Sequence, residues 1–198
     1  MIKRASLSPE QALQKLRHYC GYQERCHQEV REKLYAFGLH RNAVEDAVAT
    51  LIQEDMLNEE RFAIQFAGGH FRLRQWGRIK IRYELRLRKI SDYCIDKALA
   101  ALDEEAYHQT LAALAAKKWE SLGGSGHPAR PTNATSFTGR TNATNATSPT
   151  NTTDDASPAM RRHKTQEYLL QKGYEPDLIA AAIKDLLATA GSPPPAAG

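Results

Sequence analysis

The chain of 198 residues lacks most of the features that would point to a reaction. It has three cysteines, Cys20, Cys26 and Cys94, an odd number without framework spacing. That argues against a disulfide scaffold and for reduced thiols acting as small apolar side chains, as in a cytoplasmic protein. No apolar run approaches the length of a membrane span. The opening stretch MIKRASLSPEQAL has no apolar h-region, so neither secretion nor membrane insertion is expected. No G-x-x-x-x-G-K-[ST] loop, H-E-x-x-H, nucleophile elbow or G-x-G-x-x-G occurs. Cys20, Cys26 and His27 are spaced C-x5-C-H, which matches no common zinc pattern. His18 and Cys20 are also expected on the side of their helix opposite its core residues Leu13, Leu16 and Tyr19. Glu54-Asp55 and Glu59-Glu60 fall at expected helix ends, where carboxylates favour the helix dipole or hydrate the surface. The expectation is a protein with no catalytic residues, no metal and no cofactor, which works by binding.

Acid is scarce in one place in particular. Formal net charge is +4 with a pI near 9.0. The stretch RLRQWGRIKIRYELRLRK, residues 72–89, holds eight basic residues against one acid, Glu84. It therefore carries +7, and the rest of the chain sums to −3. Basicity this local suggests an anionic partner rather than general solubility. From Arg78 to Arg88 the stretch also alternates charged and apolar residues without a slip. Period-two alternation marks a half-buried strand, so the fold of this segment has to be decided by other means.

An internal repeat decides it. Three segments align: EKLYAFGLHRNAVEDAVATL from Glu32, YELRLRKISDYCIDKALAAL from Tyr83, and EYLLQKGYEPDLIAAAIKDL from Glu167. Leu34, Leu85 and Leu169 coincide, as do Leu39, Ile90 and Tyr174 after a turn. Val44, Ile95 and Ile179 follow, then Ala47, Ala98 and Ala182, then Val48, Leu99 and Ile183, then Leu51, Leu102 and Leu186. Spacing of i, i+3, i+4, i+7 is one stripe of an α-helix. The first and third segments show no competing alternation, so by register the basic stretch is a helix too. Each segment has a helix upstream. Ser8-Pro9 can start the first, which carries Leu13, Leu16 and Tyr19. Asn58 can cap the second, carrying Phe62, Phe66 and Phe71, and Asp103 the third, carrying Tyr107, Leu111, Leu114 and Trp119. Gly173 is a C-cap candidate because glycine enters the left-handed region cheaply.

The spacing of the matched leucines grows from 51 to 84 residues between the second and third segments. The excess nearly equals the tract from Gly123 to Pro158, which is rich in Thr, Asn, Ala, Gly and Pro. Such a tract cannot bury enough apolar surface to offset its conformational entropy. It reads as a disordered insertion in the third unit. Its N-x-T triplets at Asn133, Asn142, Asn145 and Asn151 read as products of low-complexity repetition rather than glycosylation sites. The expected organisation is unit one at 1–57, unit two at 58–102, unit three at 103–122 plus 159–190, the insertion at 123–158, and a disordered tail at 191–198. Units of about 50 residues bury little surface alone, so neighbours should stack.

LNEERFAIQF followed by WGRIKIRYELRLRKI resembles the central signature of the RecX family, bacterial regulators of the RecA recombinase. Asn58, Glu59, Glu60, Arg61, Phe62 and Ala63 match its acidic-capped helix. Trp76, Gly77, Ile81, Glu84, Leu85 and Ile90 match its aromatic-Gly pair, basic helix and turn. Arg78 stands where the family often has Pro, and Lys89 where it usually has Gly. The resemblance covers roughly residues 8–122 and 160–188. It implies an all-α protein of three tandem three-helix repeats forming an elongated, curved array. It also implies a cytoplasmic monomer that lies in the groove of the RecA–DNA filament and restrains its ATPase, strand-exchange and co-protease activities. A general basic nucleic-acid-binding helical module is the alternative.

On a helix, Arg74, Arg78, Arg82, Arg86 and Lys89 fall in one stripe about a third of the circumference wide. Lys80 and Arg88 lie on the far side, near Glu84. With almost no i, i+4 acid the row would repel itself by a few tenths of a kcal/mol per pair. A partner supplying the missing negative charge, RecA acids or single- or double-stranded DNA phosphate, is therefore expected at Arg72, Arg74, Arg78, Lys80, Arg82, Arg86, Arg88 and Lys89. Ile79, Tyr83 and Leu87 form a second apolar stripe, expected to pack on the neighbouring unit, with direct partner contact as the alternative.

Overall fold

The computed structural model describes residues 7–123 and 157–190. The expected disordered tail and all but the ends of the expected disordered insertion lie outside them. Regular structure among the described residues is helical throughout: α1 (Pro9–Tyr22), α2 (His27–Ala36), α3 (Arg41–Gln53), α4 (Glu59–Arg74), α5 (Arg78–Leu87), α6 (Asp92–Ala100), α7 (Glu104–Ser121), α8 (Pro158–Lys172) and α9 (Pro176–Ala190).

Helices α1, α4 and α7 each start where a short polar side chain can take the orphan amides. Ser8 and Gln11 form a reciprocal capping box, with Pro9 in the first turn of α1. Asn58 accepts from the Arg61 amide and Asp103 from the Ala106 amide. Each such cap contributes roughly 1 kcal/mol. Ser157 caps α8 with Pro158 in its first turn, so the third-unit helix begins one residue earlier than the sequence suggests.

One turn recurs three times, with φ of +88° at Gly38, +57° at Lys89 and +86° at Gly173. After each, the next amide returns to the leucine five residues back: Leu39 to Leu34 at 3.3 Å, Ile90 to Leu85 at 3.2 Å and Tyr174 to Leu169 at 3.2 Å. Lys89 thus takes the left-handed conformation of its glycine counterparts. The aligned Val44, Ile95 and Ile179 are fully buried, as are Leu34, Leu85 and Leu169.

The buried apolar side chains form two clusters. One draws on α1, α2 and α3; the other runs through α4 to α9. In α1 the buried face is Ala12, Leu16 and Cys20, while Leu13 and Tyr19 are half-buried. This corrects the expected placing of Cys20 away from the core. The stripe is rotated by about one residue because Tyr19 lies under the cations of Arg25 and Lys33 at the rim.

The two clusters meet through polar contacts. Arg61 bonds Glu24 and Asp55, while Glu59 accepts from the Ser91 amide and hydroxyl with His27 beside it at 3.5 Å. Burial alone would push the Glu59 carboxyl up, but the Ser91 bonds and His27 outweigh it and hold it below the usual carboxylate range. Cys26 of the α1–α2 loop nevertheless belongs to the larger cluster.

Within that larger cluster the backbones of α5 and α8 touch. The N-cap residue of α5, Gly77, has no side chain with which to cap it. The orphan amides of α5 are taken by α7, α8 and the turn after α8 instead: Gly77 N donates to Lys172 O at 2.8 Å, Ile79 N to Gly173 O at 3.0 Å, and Arg78 N to the Tyr107 hydroxyl at 3.0 Å. A Cβ on Gly77 would lie 2.2 Å from the Gly173 carbonyl oxygen, so only glycine allows this approach.

Candidate partner-binding face

The alternating stretch is α-helical. Its apolar residues divide by face: Ile81 and Leu85 are fully buried, whereas Ile79, Tyr83 and Leu87 are 48%, 61% and 55% exposed. The expectation that this second stripe packs on a neighbouring unit is therefore overturned. Successive residues turn by ~100°, which separates the 79/83/87 row from the 81/85 row by more than a third of a turn. Helices α7 and α8 dock at the N-terminal end of α5 and leave this flank open. Tyr93 of α6, 65% exposed, is a further large exposed side chain on the helix paired with α5.

The basic residues do not form the uncompensated row that the sequence suggests. Local spacing hid the acids, which arrive from other helices. Arg82 pairs with Asp96 at 2.8 Å and Arg86 with Asp92 at 2.9 Å, a two-rung ladder from α5 to α6. Both carboxylates are more than half exposed, and exposed pairs of this kind contribute about 0–1 kcal/mol each.

Arg78 is held more firmly. Its guanidinium bonds Glu104, lies near Glu175 and stacks 4.3 Å from the Tyr107 ring centre. The Glu104 hydrogen bond raises the Arg78 pKa and lowers that of Glu104. Burial and the bond to Glu175 push the Tyr107 hydroxyl well up, so it stays a protonated donor. Arg88 bonds the Glu84 carboxylate and carbonyl and lies over Phe66. Both arginines thus have carboxylate partners within the chain.

The other basic residues make no ion pair among the described residues. Lys89 is exposed on its strained turn and Arg72 is exposed at the end of α4. Arg74 and Lys80 both lie against Trp76, 5.1 Å and 4.9 Å from its ring centre. Lys172, which sequence reasoning missed because it lies 83 residues beyond Lys89, reaches the same place and donates to the Arg74 carbonyl at 3.0 Å. The ridge of Ile79, Tyr83 and Leu87 therefore runs between two unlike flanks. One is the neutralised Arg82/Arg86 ladder and the other is the unpaired group around Trp76.

His70 stacks between Phe66 and Trp76 at 3.9 Å and 4.6 Å between ring centres. Burial lowers its pKa, and Arg74 and Arg88 lower it further. Among the described residues no cluster of His, Cys, Asp and Glu is arranged to hold a metal ion. No helix there is long and apolar enough to cross a membrane. Cys20, Cys26 and Cys94 are all unpaired and buried.

The described residues thus form an all-α fold with an exposed helix face that is part apolar and part cationic. Residues 58–99 match the family model of the second three-helix domain of RecX. The regulatory protein RecX of Chlorobium phaeobacteroides is 32% identical over 110 residues, which are 56% of this chain and 71% of that protein. The RecX proteins of Prosthecochloris aestuarii and Clostridium perfringens are each 32% identical, over 95 and 94 residues. Those two matches span 48% of this chain but only 63% and 43% of the relatives' length. The crystal structure of RecX from Lactobacillus salivarius superposes with a TM-score of 0.69 at 19% identity, covering 91% of this chain and 97% of that one. A second regulatory protein RecX structure superposes at 0.66 with 18% identity, covering 89% and 71%. The chain belongs to the RecX family of regulatory proteins. The expected all-α fold agrees with both solved structures, and the expectation of a regulator rather than an enzyme agrees with the family.

Proposed function

We propose that the chain regulates the RecA recombinase, mainly as an inhibitor, by lying in the groove of the RecA–DNA filament. In this reading the three helix triplets, 1–57, 58–102 and 103–122 with 159–190, are successive units of one elongated array, and the middle unit makes the principal contact. The observation that carries the reading is the α5 ridge. Ile79, Tyr83 and Leu87 are large, apolar and exposed beside Arg82, Arg86 and Lys89, in a chain whose family is regulatory. Apolar centres rimmed by charge are typical of protein contact surfaces.

The Arg82–Asp96 and Arg86–Asp92 pairs fit such a surface. Each is weak enough to open, so a partner carboxylate can replace Asp96 or Asp92 at little cost. The test is RecA ATPase turnover and filament stability on single-stranded DNA with saturating protein. Inhibition and filament shortening are expected. Unchanged turnover and filament length at saturation would reject the reading.

A further inference from the structure

We propose that the unpaired cations around Trp76 form a separate binding site for the phosphodiester backbone of single-stranded nucleic acid. The site goes beyond the filament-regulator reading and stands on different residues. It lies at the seam where the end of α4, the start of α5 and the end of α8 converge. Arg74 comes from α4, Lys80 from α5 and Lys172 from α8. Arg74 and Lys80 flank the Trp76 ring, while Lys118 and Lys172 approach the Tyr168 ring at 5.5 Å and 5.8 Å.

The charge here is not explained by the fold alone. Lys80 Nζ donates to Gln171 O at 3.4 Å and Lys172 Nζ to Arg74 O, so both amines rest on helix C-terminal carbonyls. A helix C-terminus supplies about half a negative charge. Two of them offset about one of the three cations, and the α5 N-terminus docked on α8 returns part of that. A surplus of roughly two positive charges remains. The carboxylate of Glu84, which acts on neighbouring His70, is already bonded to Arg88. On the Arg82/Arg86 flank the chain supplies two aspartates; here, among the described residues, no carboxylate pairs with Arg74, Lys80 or Lys172.

The ligand follows from the composition of the patch. Two lysines held in place by carbonyl oxygens, and an arginine, all set beside aromatic rings, suit a flexible polyanion whose bases can stack. Two lysines bonded to different backbone carbonyls, with the Arg74 guanidinium over Trp76, present separate charges, as successive phosphates require, rather than a fork for one carboxylate.

The chain has two tryptophans, so Trp119→Phe leaves Trp76 as its sole indole reporter. Titrating that full-length variant with a short oligothymidylate, with no RecA present, should quench Trp76 emission. The affinity should fall with salt at about 0.7 per phosphate contact on a log–log plot. Lys80→Gln with Lys172→Gln should weaken binding roughly tenfold or more and reduce that slope by about 1.4. Lys80→Arg with Lys172→Arg should retain binding, which separates charge from folding. Arg82→Gln with Arg86→Gln should leave it unchanged. Absence of binding at low salt, an unchanged slope in the Gln variant, or equal affinity for a blunt duplex would overturn the proposal. None of these outcomes bears on RecA inhibition, which is read in its own assay.

Discussion

Lys89 shows how a single side chain can be out of keeping with its backbone. Its φ of +57° costs a non-glycine residue about 1 kcal/mol relative to glycine. Gly38 and Gly173 avoid that cost at the matching turns. Lys89→Gly is expected to raise the melting temperature by about 3 °C. A lower melting temperature would show that the lysine makes a stabilising contact outweighing the strain. His27 and His70 give the chain a pH dependence of definite sign. Burial is the largest cause of the lowered pKa of each. Between those lowered values and the unperturbed value of about 6.5, the unfolded chain binds more protons than the folded one. Stability is therefore full above that range and falls as pH drops through it. Thermal melts between about pH 7 and about pH 5 should show the loss, and His27→Gln with His70→Gln should reduce it. An undiminished loss in the double variant would assign the effect to other groups.

At the scale of elements, α5 is the informative case. Its helical state was readable from the repeat even though its own alternation argued for a strand. Leu85, aligned with Leu34 and Leu169, is buried as they are, and so is Ile81 of the family signature. Its charge environment was not readable. Asp92, Asp96, Glu104 and Glu175 lie up to 97 residues from their arginines in sequence, and only packing brings them near. Lys172 was missed for the same reason, and the α1 face was misplaced because Tyr19 takes the rim while Cys20 enters the core. The docking of α5 on α8 also escaped the sequence, although Gly77 in the aromatic-Gly pair marked the spot. A methyl group there would strike backbone rather than a flexible side chain. Gly77→Ala should destabilise the chain by about 3 kcal/mol, lowering the melting temperature by about 10 °C. Faster amide exchange of α5 and α8 than of α1 to α3 is expected with it. A loss under 1 °C would mean that the approach of the two backbones is looser than described.

For the whole molecule, the triplication and the family resemblance were enough to anticipate the all-α fold. The separation into two apolar clusters, joined by Arg61, Glu24, Asp55 and Glu59, was not, because polar junctions leave no periodic trace. On either side of residues 124–156, α7 and α8 meet directly, with Arg161 Nη2 bonded to Trp119 O at 2.9 Å and stacked on the Trp119 ring. Loop-closure cost grows only with the logarithm of length. Replacing residues 124–156 by a short Gly/Ser bridge should leave the melting temperature within about 2 °C, and a larger drop would reveal a structural role.

The central claim is that the exposed α5 ridge is the surface that engages the filament. Tyr83→Ser with Leu87→Ser tests it most directly, since exposed positions alter stability by only about 0.5 kcal/mol. RecA ATPase turnover should then be inhibited at least tenfold less effectively than by the unchanged chain, at an unchanged melting temperature. Full inhibition by this stable double variant would contradict the claim.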